Sequence, residues 1–244
     1  NMFRKSDDNG SRDGALRAGR NVRLAATLAL AAIAAGCEKR ASAPVTTFGD
    51  AMVEAQFGRS EKIVVPEILV TDDDLQSLPK LENVKHLELV RTSITDQGIE
   101  ALLNLPNLEV LVLGDTRVTR HGLATIASLG NLTRLNLAST DLDDDALAEL
   151  ARLPKLESLR IGSRRVGDAG MTQIARLTNL KSLILRDMPI TDDGLTPLFA
   201  LTKLESLYLE NTQVTDKGAK LLGEKLPKLH VHFPEPAATG TAAR

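Results

Sequence analysis

The chain has 244 residues and a net charge of −2, with 43% hydrophobic residues but only 2% aromatic ones. That supplies a sizeable core built of Leu rather than rings, and the lone cysteine excludes an intrachain disulfide framework. The mildly acidic balance argues against a nucleic-acid partner, whose binders present a basic stripe.

The first 36 residues read apart from the rest. Arg17, Arg20 and Arg23 precede a 13-residue apolar run, Leu24 to Gly36, that ends in small residues. This is the layout of a secretory signal peptide, and it is short of the roughly 20 residues of a membrane span. Cys37 follows directly, in Ile33-Ala-Ala-Gly-Cys37, which resembles a bacterial lipobox. It departs from that pattern in having Ala34 three before the cysteine, with Ile33 one position early. The resemblance implies that residues 1–36 are removed, that Cys37 carries lipid, and that residues 37–46 tether the protein to a membrane on the periplasmic side of a bacterial envelope. Ordinary secretion by cleavage after Ala43, or an uncleaved anchor, are the alternatives. Residues 1–37 hold six basic side chains against three acidic ones, so the remainder carries five net negative charges.

Residues 47–60 read as an N-terminal cap. Phe48, Met52, Val53 and Phe57 space like a short amphipathic helix, suited to closing the exposed end of a stacked structure.

From residue 61 to 233 the chain repeats every 24 residues. Val70, Ile94, Val118, Leu142, Val166, Ile190 and Val214 keep that step, and so do the pairs Ile63/Val65, Leu87/Leu89, Leu111/Leu113, Leu135/Leu137, Leu159/Ile161, Leu183/Leu185 and Leu207/Leu209. Each unit combines a short alternating stretch, such as Leu108 to Leu113, with a three-residue apolar spacing, such as Leu123, Ile126, Leu129 and Leu132. These are the periods of a strand and of one or two helical turns. One unit's apolar side chains cannot offset the backbone entropy of ordering it, so the units must stack and enclose one another. The last repeat is expected to slip by one residue, because Leu222 to Leu226 is a step of four where Leu198 to Leu201 is a step of three. The segment Leu226 to Phe233 then reads as a closing edge strand, and residues 234–244 as a disordered tail after Pro234.

The pattern L-x-x-L-x-L-x-x-(N/C)-x-L resembles the leucine-rich repeat, and the I/V-T-D-x-G-L tail is similar to its cysteine-containing subclass, known from F-box adaptors and from bacterial envelope proteins. Thr92, Thr116, Thr140 and Thr212 stand at the Asn/Cys position, and Arg164 and Met188 depart further. The resemblance implies an α/β horseshoe-shaped solenoid, with a parallel sheet on the concave face and short helices on the convex face.

Helix starts are legible in Thr95, Thr119, Thr191 and Thr215 as N-caps, followed at three of them by Asp96, Asp192 and Asp216 where the helix dipole favours a carboxylate. Gly98, Gly122, Gly170, Gly194 and Gly218 read as places where helix and strand backbones approach closely, with Ala146 tolerated by its size.

No catalytic constellation, cofactor motif or metal set emerges. GxGxxG, GxxxxGK[ST] and G-x-S-x-G are absent. His230 and His232 have no third ligand nearby, His86 and His121 fall in different phases of the repeat, and the acidic runs at Asp72 and Asp143 sit at helix starts. What remains is a surface. In-register strands would put Glu88, Val112, Asn136, Arg160, Ile184 and Tyr208 in one outward column. The flanking columns are His86, Val110, Arg134, Ser158, Ser182, Ser206 and Val90, Gly114, Ala138, Gly162, Arg186, Glu210. Val110 and Val112 form an apolar end, Arg134, Arg160 and Arg186 a basic centre, and Tyr208 with Glu210 the far end. Arg and Tyr often anchor interfaces. Arg164 and Met188 admit two readings: a looser turn, or long side chains reaching the lip of the face beside Arg165. The expected function is that of a monomeric, non-enzymatic module binding a protein or peptide through this face. A stiff spacer or self-associating envelope component without a dedicated ligand is the alternative.

Overall fold

A computed structural model describes residues 47–64 and 70–233. The leader, Cys37, the tether, Val65 and residues 234–244 lie outside the described residues. Eight parallel strands form one sheet in chain order: β1 Lys62–Val64, β2 His86–Glu88, β3 Val110–Val112, β4 Arg134–Leu137, β5 Ser158–Gly162, β6 Ser182–Arg186, β7 Ser206–Glu210 and β8 His230–His232. The register passes from Ile63 through Leu87, Leu111, Leu135, Leu159, Leu183 and Leu207 to Val231. The sequence period and the hydrogen-bond register are therefore the same quantity.

Short helical coils return the chain on the other side: α1 Phe48–Gln56, α2 Asp72–Gln76, α3 Asp96–Ile99, α4 Arg120–Ile126, α5 Asp168–Ile174 and α6 Asp216–Lys225, with 3₁₀ turns at Glu100–Asn104, Ala146–Arg152 and Asp193–Ala200. In the 3₁₀ coils the apolar residues step by three, as in Leu147, Leu150 and Leu153, because side chains three apart eclipse in that helix. Strands stand about 4.8 Å apart while helices need about 8–10 Å, so the sheet takes the inside of the curve. Among the described residues no helix is long and apolar enough to cross a membrane.

The slip in the last repeat is absorbed before it reaches the sheet. α6 is a full α-helix, so Leu222 and Leu226 sit four apart on one buried face, and the loop after Leu229 is one residue shorter. Val231 pairs with Leu207 in unbroken register.

The cap helix α1 packs on β1 through Phe48 and Met52 of the four residues the spacing picks out, and Phe57 is not among those it buries. Phe48, Ala51 and Ala55 are buried, Met52 is half-buried against the core, and Phe57 is 41% exposed with the Arg59 guanidinium 5.2 Å over its ring. At 100° per residue, Phe57 falls opposite Phe48. Thr47 and Asp50 form a reciprocal capping box at its start. Asn83 Nδ2 donates to the carbonyls of Ala55 (2.9 Å) and Ser60 (3.0 Å), tying the cap to the first repeat.

A ladder invisible to the local reading joins the helix starts. Asp72 Oδ1 accepts from the Thr95 N–H at 2.8 Å and Asp72 Oδ2 from its hydroxyl at 2.6 Å. The same two bonds join Asp96 to Thr119, Asp168 to Thr191 and Asp192 to Thr215. Each Asp thus reaches forward to the next repeat rather than serving its own helix alone. The Thr215 N–H and hydroxyl hold the Asp192 carboxyl below its ordinary value. On the opposite rim Asn107, Asn131 and Asn179 donate to the carbonyls of Glu82, Pro106 and Pro154 in the preceding repeat.

The ladder explains the glycines. A Cβ on Gly98, Gly122, Gly194 or Gly218 would overlap the carboxylate of Asp72, Asp96, Asp168 or Asp192, and one on Gly170 would stand 2.6 Å from Asp144 Oδ1. The close neighbour is therefore the preceding repeat's carboxylate, not a strand backbone. Ala146 is accommodated because Arg120 stands where the previous repeat would have its Asp. At that seam Arg120 turns to Glu149 (3.4 Å), and Asp143 caps Ala146 N–H (3.0 Å) and pairs with Arg165 (3.4 Å). A cavity of about 590 Å³ opens beside them.

Candidate functional site: the open face of the sheet

The inward leucines leave alternate strand residues facing the open side. Pairing sets Val110, Arg134, Ser158, Ser182, Ser206 and His230 in one column, and Val112, Asn136, Arg160, Ile184, Tyr208 and His232 in the next. Gly162, Arg186 and Glu210 extend the third column. Eight of the nine sequence-predicted partner residues, Val110, Val112, Arg134, Arg160, Ile184, Arg186, Tyr208 and Glu210, lie in these columns. Arg164 lies outside them, exposed in the turn after β5.

The three arginines of the basic centre are not alike. Arg186 Nε contacts Asp187 at 3.3 Å and Glu210 at 3.4 Å, so its charge is matched from within the protein. Arg134 is exposed and makes no ion pair among the described residues. Arg160 is half-buried, and its Nε is buried without a hydrogen-bond partner. A desolvated donor left unpaired costs roughly 1–3 kcal/mol. Between Arg160 and the turn that holds Arg164, the one outward position of β5 is Gly162, beside Ala138 just past the end of β4. A Cβ on Gly162 would lie 3.1 Å from Ser139 N and 3.2 Å from Arg186 O, so packing keeps this spot bare.

At the far end the Tyr208 and His232 rings stack at 4.3 Å with a 10° interplanar angle. The sequence reading names Tyr208 for this face and leaves His232 in the closing edge strand. The signal was present in the 24-residue step between them, which places them in one column. Across the sheet, His86 Nε2 lies 3.7 Å from Glu88, too long for a hydrogen bond.

The turn after each strand corrects the reading of Arg164 and Met188. Arg91, Asp115, Ser139, Asp187 and Asn211 each take a left-handed backbone with φ between 53° and 56°, one per repeat. Behind them Thr116 and Thr140 are buried and donate to Leu113 O and Leu137 O of their own strands, both at 3.0 Å, not to a neighbouring coil. Met188 occupies the same pocket and is 1% exposed, so it belongs to the core and not to the lip. In the Arg164 repeat the turn is rebuilt. Ser163 loses the positive φ and becomes the buried polar residue, donating to Leu142 O at 2.6 Å and accepting from Arg165 N–H at 3.2 Å. Arg164 is thereby turned outward, next to Arg165, which is held by Asp141 and Asp143.

Four of the six carboxylates in the acidic runs have partners within the protein. Asp72 and Asp144 serve the ladder, Asp74 the capping box with Thr71, and Asp143 the Ala146 N–H and Arg165.

A continuous parallel sheet, a coil for each strand and one Leu-lined core define a leucine-rich-repeat solenoid. A family model described as Leucine Rich repeat matches residues 80–103, 131–151, 176–199 and 200–223. No curated protein sequence matches the chain. Among solved structures, internalin C2 from Listeria monocytogenes is similar at 25% identity and a TM-score of 0.60, over 79% of this chain and 78% of that one. TLR13 in a complex with ssRNA13 is similar at 24% identity and a TM-score of 0.50, over 65% of this chain. This chain spans only 24% of the TLR13 chain, so that likeness concerns the fold alone.

Proposed function

We propose that this protein is a lipid-anchored, extracytoplasmic binding module that holds a protein or peptide on the concave face of its sheet and performs no catalysis. The observation that carries the reading is the open face itself. It presents unpaired Arg134 and Arg160, apolar Val112 and Ile184, and the stacked Tyr208–His232 pair, in columns fixed by the strand register. Stacked aromatic groups on a backbone that need not rearrange lose little entropy on binding, and arginine is a residue type that often anchors interfaces. The fold similarity to a bacterial internalin agrees with a binding scaffold. The anchor rests on the Cys37 motif alone.

Two measurements test the two halves. A Cys37→Ser variant is expected to leave the membrane fraction, and its retention there would refute the lipid anchor. In capture from envelope extract, Arg160→Glu and Tyr208→Ala are expected to abolish recovery of the partner, while an exposed change on the helical side, Thr172→Ala, leaves it intact. Equal recovery by all three variants would favour the spacer, whose role does not depend on this face.

A further inference from the structure

The charges on the open face are arranged for a narrow anion. Arg134 on β4 and Arg160 on β5 occupy adjacent strands, two residues apart along the strand direction. Neither has an ion-pair partner among the described residues, and Arg160 Nε is buried without an acceptor there. Arg164 adds a third unpaired guanidinium just beyond the bare Gly162. The basic zone ends there. On one side stand Val110 and Val112, then Glu88; on the other Ile184, then Arg186 already matched by Glu210.

We propose, resting on the concave-face reading above, that the partner is an extended acidic peptide segment whose central carboxylate is held by Arg134 and Arg160. Its apolar flanks lie on Val112 and on Ile184 with Tyr208. Width decides against a polyanion. Unpaired positive charge covers two strands of the sheet, about 5–10 Å, which matches one or two carboxylates. A nucleic acid would need a stripe of cations along its length, and Glu88 and Glu210 stand where that stripe would continue. From β3 to β7 is four strand spacings, about 19 Å, which an extended chain crosses in about six residues. The expected motif is thus apolar, acidic at the centre, then apolar or aromatic. A guanidinium pair on a half-buried face fits a carboxylate in two-point contact through its outer nitrogens.

The test is selection of random hexapeptides displayed on phage against the purified full chain, followed by fluorescence anisotropy of an enriched peptide. Enriched sequences should carry a central Asp or Glu between apolar residues. Replacing that acid by its amide should weaken binding by about tenfold, and in Arg134→Gln and Arg160→Gln that ratio should fall below about twofold. Tyr208→Ala should weaken the acidic and amide peptides alike. Enriched peptides without acids, still dependent on Tyr208, would overturn the acidic specificity and leave the concave-face reading standing. No enrichment, or enrichment indifferent to all three variants, would overturn both. Displacement of the peptide by a single-stranded RNA oligonucleotide at lower concentration would also overturn the choice of partner.

Discussion

At the residue scale, the glycines show how a local reading finds a position and misses its cause. Five glycines at a fixed place in the repeat were plain in the sequence, and so was Ala146 at the sixth. Helix–strand crowding accounts for neither, whereas a carboxylate reaching over from the previous repeat accounts for both. Where Arg120 replaces that carboxylate, the Cβ of Ala146 is admitted. The clue was present as a pairing 26 residues apart, Asp72 with Gly98 or Asp168 with Gly194, but it lies outside any single helix or strand pattern. Gly194→Ala is therefore expected to destabilise the protein by about 1–3 kcal/mol, because its Cβ meets Asp168. In an Asp168→Ala background, itself weakened by loss of two bonds to Thr191, the same change should cost well under ~1 kcal/mol. Urea midpoints for the four proteins measure the coupling, and strictly additive costs would contradict this account.

At the element scale, strands were legible because register and repeat length coincide, and a period can be counted without knowing the fold. The helical coils were legible in place but not in kind. Leu147, Leu150 and Leu153 step by three in a 3₁₀ turn while Leu222 and Leu226 step by four in α6, and that difference turns the apparent slip into a local lengthening. The cap was legible as an amphipathic helix, with Phe48 and Met52 rightly placed on its inner side and Phe57 wrongly. The rest of that side is made by small residues, Ala51 and Ala55, which weigh little in a hydrophobic pattern but let the helix lie close to β1. Phe57 caught the eye and faces solvent. Phe48→Ala should accordingly lower stability by about 3–5 kcal/mol, and Phe57→Ala by less than ~1 kcal/mol. Thermal unfolding of the two variants checks the orientation, and equal losses would place Phe57 in the cap interface after all.

At the scale of the whole molecule, the curved sheet follows from what each repeat lacks. No repeat encloses its own leucines, so stacking is obligatory, and stacking unequal layers bends the sheet inward. The columns on that face could be written down from the sequence, since in-register pairing is all they require. Their electrostatics could not. Whether an arginine is available depends on what stands one repeat over, and Arg186 is matched by Glu210 while Arg134 and Arg160 are not. Nor could the sequence tell that the turn at Ser163 is rebuilt so that Arg164 faces out while Met188 faces in.

The central claim is that a partner rests on the sheet and leaves the helices uncovered, and chemical protection measures this most directly. In a Cys37→Ser background, the chain carries one new thiol, either Asn136→Cys on the sheet face or Thr172→Cys on the exposed side of α5. Maleimide modification is then timed with and without the captured partner. The account predicts that the partner slows reaction at residue 136 by about tenfold or more and leaves residue 172 unchanged. Protection at 172 with residue 136 still reactive would place the partner on the convex side and contradict it.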